Sequence, residues 1–188
     1  MKQFILSLLT LTILSLVNCS SETGSSSGTS TGDSGAASTS STYTPTTQTS
    51  LGMILPDTSV EAGSTFCVPM TVKDFKNIVS MQHSVNWDPK VLKFEKLQSF
   101  ALPNLSEANF GATKTEQGLL GISWYDASLK GITLNDNTKI YEICFQTIGT
   151  SGTSTKLRIT NDPVIVEVSN SDEKLLGIPT GNGQVKVK

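Results

Sequence analysis

Several residue types and patterns are scarce in this chain, and each scarcity excludes a class of chemistry. No run of lysine or arginine occurs, and the net charge is −2, so the phosphate-neutralising surface of a nucleic-acid binder is missing. Only one histidine is present, His83, and the alternation around it places it between Met81 and Val85 on an apolar strand face. No Gly-x-Ser-x-Gly elbow accompanies it, so a Ser-His-Asp site has no scaffold. The acids Glu95, Glu107, Glu116, Asp126 and Glu142 are scattered and read as solvated surface, not as the facing carboxylate pair of a glycosidase. Cys67 and Cys144 lack histidines at zinc-ligand spacing, and no Asp-x-Asp-x-Asp-Gly calcium loop exists. The Asn135-Asp136-Asn137 run and Asp162 read as turn residues, with oxygen ligation of Ca²⁺ as the alternative. No enzyme activity, metal or cofactor is therefore expected. Helix-length apolar periodicity is also missing.

What is present falls into three parts. Residues 1–18 carry Lys2 and the apolar run "FILSLLTLTILSLV", too short for a comfortable span and suited to a secretory signal peptide. "LVNCSS" follows, with Leu16 three residues before Cys19 as in a bacterial lipobox. Cys19 is the expected lipidation site; an ordinary secretory signal with Cys19 incidental is the alternative. Residues 19–50 hold this cysteine and a Ser/Thr/Gly-rich stretch with one aromatic residue, two acids and no bases. Such a composition buries too little apolar area to offset the entropy of ordering, so it is expected to act as a flexible tether. Residues 51–188 are the expected globular domain.

In that domain short alternating runs are separated by turn signals at Pro56-Asp57, Ala62-Gly63, Asp88-Pro89, Gly118, Gly131 and Asp162-Pro163. Many short strands with frequent turns predict an all-β, two-sheet sandwich. Alternation assigns the faces. Phe66, Val68, Met70 and Val72 point inward, as do Met81, His83, Val85 and Trp87. Leu120, Ile122 and Trp124 share the core with Tyr141, Ile143, Phe145 and Thr147. Cys67 and Cys144 fall on the opposite faces of their strands.

Four stretches, in order, resemble a known family. "EAGSTFCVPMTV" is similar to the second strand of cohesin domains, with its Gly-x-x-Val-x-Val-Pro-Val pattern. "HSVNWDPKVLKFEKL" is similar to the third strand, which usually ends in Tyr-Asp-Pro-x-Val-Leu; here Trp87 stands in place of the Tyr. "KIYEICFQTIG" resembles the late strand with an apolar-x-Phe-x-Val pattern, and "GNGQVKVK" the closing strand. The resemblance covers about residues 51–187.

The resemblance implies a nine-stranded sandwich of jelly-roll-like topology. It implies that the second and seventh strands are neighbours, which brings Cys67 and Cys144 together; export permits a disulfide, and two free thiols are the alternative. It also implies that the sheet of the family's strands 8, 3, 6 and 5 presents a face that grips a dockerin, a small calcium-binding module on polysaccharide-degrading enzymes. By strand position that face would hold Gln82, Ser84 and Asn86, then Ser123 and Tyr125, then Lys156, Arg158 and Thr160. The expected function is that of a non-catalytic lipoprotein at the bacterial outer membrane or cell surface, binding a protein partner in polysaccharide degradation. Two alternatives are a carbohydrate-binding module with polysaccharide as the partner, and a structural accessory lipoprotein of an outer-membrane complex. The lipid on Cys19 would supply the membrane contact.

Overall fold

The structure is a computed structural model and describes residues 48–188. The expected signal peptide, Cys19 and the tether up to residue 47 lie outside the described residues. In chain order the strands are β1 (Gly52–Ile54), β2 (Thr58–Val60), β3 (Thr65–Lys73), β4 (Ile78–Asn86), β5 (Leu92–Gln98), β6 (Phe110–Gly111), β7 (Leu119–Tyr125), β8 (Thr138–Thr147), β9 (Ser154–Thr160), β10 (Glu167–Asn170), β11 (Thr180–Gly181) and β12 (Gly183–Val187). Two single-turn 3₁₀ helices, Glu107–Asn109 and Thr115–Gln117, interrupt them.

The strands form two sheets, as the all-β expectation requires. One has the order β11-β1-β3-β8-β5; the other runs β2-β12-β9-β4-β7-β6, with β10 also paired to β4. The described residues thus hold twelve strands, not nine. Five of them, β1, β2, β6, β10 and β11, are two to four residues long. A period of two cannot be established over so few residues, so alternation does not resolve them. The three residues ahead of the expected domain start also join the fold. Gly177 N–H donates to Thr49 O at 2.9 Å, and Ser50 bridges Gly177.

The core forms where the inward faces meet. Val68, Met70, Val72, Val85, Leu120, Ile122, Trp124, Tyr141, Ile143 and Phe145 are buried, and Phe66 packs against them half-buried. The Trp87 and Phe145 rings meet edge to face with centroids 5.0 Å apart. Trp87 Nε1 donates to Leu92 O at 3.0 Å, so the indole satisfies its one polar group inside the core.

Asp88-Pro89 ends β4 through defined bonds. Asp88 Oδ1 accepts from Lys90 N at 2.9 Å, and Asp88 O accepts from Val91 N at 3.0 Å. Pro89 has no N–H to continue a ladder. Gly118 closes the same corner with φ +74°; a Cβ there would stand 2.2 Å from Trp87 O, so only glycine fits.

Cys67 and Cys144 are opposite one another on β3 and β8 and form a disulfide with a sequence separation of 77. It lies on the outer face of the five-stranded sheet. Gln98 Nε2 reaches Cys67 Sγ at 3.4 Å, and the same amide donates to Glu142 Oε2 at 2.8 Å.

Candidate functional site

The outer face of the seven-stranded sheet is built by pairing across β4. Asn86 stands opposite Arg158 of β9 and Leu119 of β7; Ser84 stands opposite Thr160 and Gly121; Gln82 opposite Ser123; Ser80 opposite Tyr125. Because strand side chains alternate, all of these point away from the core. Tyr125 is 65 % exposed; Ser123, Lys156 and Arg158 are also exposed, while Gln82, Asn86 and Thr160 are half-buried.

Ser84 departs from the expectation. It is fully buried, not part of an open surface. The cause is an arch between β9 and β10. Both strands pair antiparallel with β4, one after the other along the same edge: Thr160 opposite Ser84, then Glu167 opposite Gln82. Only one residue is needed to bridge that step, yet six, Asn161 to Val166, occupy it. They rise out of the sheet and fold over its outer face. Val164 N donates to Ser84 Oγ at 2.7 Å, and Ser84 Oγ donates to Val164 O at 2.9 Å. A Cβ on Gly121 would lie 2.7 Å from Val164 Cγ2, so the bare backbone of β7 makes room for the arch. Thr160 Oγ1 donates to Asp162 O at 3.1 Å, and the Asn86 amide, oriented toward acceptors, donates to the same carbonyl at 3.0 Å. The arch contains a cis Asp162-Pro163 bond and leaves Ile165 55 % exposed.

Beside the arch the face dips into an open groove of about 500 Å³. Asn86, Asp88, Leu119, Lys156, Arg158 and Gln184 are among its walls.

A family model for the cohesin domain matches residues 51–186. The chain belongs to the cohesin-domain family. No curated protein sequence matches it. Among solved structures it is similar to the seventh ScaB type I cohesin of Pseudobacteroides cellulosolvens, with 20 % identity, TM-score 0.58, and coverage of 75 % of this chain and 94 % of that one. A non-cellulosomal cohesin of the archaeon Archaeoglobus fulgidus gives 19 % identity, TM-score 0.59 and coverage of 74 % and 91 %. The cohesin of a type I cohesin–dockerin complex from Clostridium thermocellum gives 12 % identity, TM-score 0.61 and coverage of 74 % and 99 %. At these identities the likeness is one of fold.

In cohesin terms β4, β7 and β9 are the strands expected side by side, and they are adjacent here. Gln82, Asn86, Ser123, Tyr125 and Arg158 share the outer face, with the arch interposed over Ser84. Sequence reasoning missed Ile165, Leu119 and Gln184. The run "PVIVEV" alternates smoothly enough to read as strand, and the arch inside it carries only Asp162-Pro163 as a warning.

Among the described residues the titratable groups do not assemble a reactive centre. His83 Nε2 lies 2.9 Å from Tyr141 Oη inside the core, and burial lowers the His83 pKa to about 3. The imidazole is thus neutral across the physiological range, and burial pushes the Tyr141 phenol upward. Glu142, expected as solvated surface, is instead bound into a network. Lys139 Nζ donates to it at 2.8 Å, as do Gln98 Nε2 and Ser99 Oγ, and these donors, Lys139 first, lower its pKa to about 2. Asp126 is also buried, and not surface: Ser128 and Gly131 donate to its carboxylate, and the Ser128 bonds lower its pKa. Both acids stabilise local structure. No group of three potential metal ligands exists among the described residues.

Proposed function

We propose that this cohesin domain is a non-catalytic binding module that takes a protein partner of dockerin type on the outer face of β9, β4 and β7. The family match over residues 51–186 carries this reading, and relatives solved in cohesin–dockerin complexes support it. The face offers amide and hydroxyl groups around one exposed aromatic ring, Tyr125, a mixture suited to a wet protein interface. Ile165 at the crest of the arch adds an apolar contact.

The carbohydrate-binding alternative loses its main support. A sugar platform needs a row of exposed aromatics, and Trp124 and Trp87 are only 2 % and 6 % exposed. For the accessory-lipoprotein alternative, the exposed apolar residues Leu129, Ile148, Ile165 and Leu175 sit on four separate connections.

We further infer that the chain is exported and lipid-anchored through Cys19 at the bacterial surface or outer membrane. The signal-like residues 1–18 support this, and so does the Cys67–Cys144 disulfide, since such bonds persist in oxidising compartments. A tether behind the lipid would hold a partner at the surface at raised effective concentration, in keeping with a role in polysaccharide degradation.

The test is titration of the chain against a panel of dockerins by calorimetry, beside a panel of insoluble polysaccharides. Saturable dockerin binding weakened by Tyr125→Ala is the expected result. Retention on a polysaccharide with no dockerin binding would replace this reading with the glycan one.

A further inference from the structure

Three cations lie together on the outer face of two neighbouring strands, in a chain whose net charge is −2. Lys156 and Arg158 alternate along β9, and Lys186 follows on β12. Lys156 pairs across the ladder with Gln184, Lys186 with Ser154 and with Ser59 of β2, and Arg158 with Asn86. None of these cross-strand neighbours is acidic, and all three cations are exposed. The ion pairs Lys76–Asp74, Lys93–Glu95 and Lys139–Glu142 lie elsewhere, and none involves this trio. Of the nearby carboxylates, Asp57 Oδ1 accepts from Gln184 N at 2.8 Å and Asp88, itself a wall of the groove, accepts from Lys90 N through Oδ1; neither forms an ion pair with the trio.

Lys156 and Arg158 line the groove of about 500 Å³, whose walls are mostly polar side chains, with Leu119 and Trp87 as the apolar ones. An apolar ligand would leave those polar groups desolvated without partners. An anion would not. Arg158 presents a planar fork that fits a carboxylate in bidentate fashion, and Lys156 supplies a point charge. Their Cα atoms are two strand residues apart, roughly 7 Å. Carboxylates one helical turn apart, or on alternate residues of an extended segment, match that spacing.

We propose that this groove receives an acidic polypeptide segment of the partner, with Arg158 and Lys156 pairing to successive carboxylates and Lys186 extending the field. This rests on the reading of the face as a protein-binding surface, and adds the charge sign of what binds there. The occupant is a polypeptide and not an anionic glycan because the one aromatic residue of the groove walls, Trp87, is only 6 % exposed, its ring packed against Phe145, and offers no face for stacking sugar rings.

The experiment uses the full ¹⁵N-labelled chain and a hexa-aspartate peptide at low ionic strength. Backbone amides of Lys156, Arg158 and Gln184 are expected to shift saturably, and the shifts to vanish at high salt. The K156Q/R158Q variant should weaken the peptide about tenfold or more while keeping the wild-type unfolding midpoint. Shifts spread equally over Lys73, Lys76 and Lys90 would overturn the proposal, as would tighter occupancy of the groove by oligogalacturonate. The dockerin titration separates this inference from the broader one. If a dockerin binds wild type and K156Q/R158Q alike, the groove inference fails and the protein-binding reading stands. If no dockerin binds while hexa-aspartate occupies the groove, the dockerin reading fails and the charge preference stands.

Discussion

The hydroxyl of Ser84 holds both backbone polar groups of Val164: it accepts from the N–H at 2.7 Å and donates to the carbonyl at 2.9 Å. One side chain on β4 thereby pins the arch to the face that would otherwise lie open. Ser84→Ala strands both Val164 groups under the arch, at a cost of about 1–3 kcal/mol if the arch stays down. The expected outcome is faster amide exchange at Val164 and faster protease cleavage within residues 161–166, with the core protected as before. Gly121→Val should lift the same segment by collision with Val164, so the two substitutions together should cost less than their sum. Unchanged exchange at Val164 in Ser84→Ala would show that the clamp does not hold the arch.

The disulfide closes a loop of 77 residues between central strands. In the chain-entropy model such a bridge stabilises by about 4 kcal/mol. Reduction, or the double variant Cys67→Ala/Cys144→Ala, should lower the denaturant midpoint without abolishing the β-sheet circular dichroism signal. Thiol titration of unreduced, denatured chain should find neither Cys67 nor Cys144 free.

His83 sets an acid limit on stability. Its pKa is lowered to about 3 in the fold from an ordinary 6.5, by burial. The unfolded chain therefore takes up a proton first as pH falls, and stability is lost progressively between pH 6.5 and 3. At pH 5 the loss from this residue is about 2 kcal/mol relative to neutral pH. Urea unfolding at pH 7.5 and 5 should show it, and His83→Gln should flatten that slope whatever its own effect at neutral pH.

Glu142 acts at lower pH. Its folded pKa is depressed to about 2 from 4.5, so its contribution is fully present above pH 4.5 and is lost as pH falls toward 2. Lys139→Met removes the charged donor and should raise the Glu142 pKa toward the ordinary range, which carboxyl NMR titration reads directly.

The long strands were legible because each buries one full face. Met81, His83, Val85 and Trp87 are inward as the alternation of "MQHSVNW" requires, and Trp124 follows the same rule on β7. The Cys67–Cys144 pairing was legible through the family resemblance, since only the topology brings β3 beside β8. The burial of Ser84 was not. A strand's own period tells which way a side chain points, and says nothing of what distant segment covers it; here the cover arrives 80 residues later in the chain. Glu142 and Asp126 illustrate the same gap: Lys139 reaches Glu142 from three residues back on its own strand, where plain alternation puts it on the other face, and the remaining donors sit on turns and a neighbouring strand. The arch itself hides in a run whose β-branched residues imitate a ladder.

The in-line placement of β9 and β10 has a further consequence. Register is secured on both sides of the arch, by Thr160 opposite Ser84 and by Glu167 opposite Gln82. The span between them can therefore change length or sequence while the sheet on either side stays in step, much as a hypervariable loop changes on a constant framework. Five consecutive arch positions, 162 to 166, are a natural place to graft foreign peptides. A library there would diversify the recognition face while leaving the core strands of the sandwich untouched.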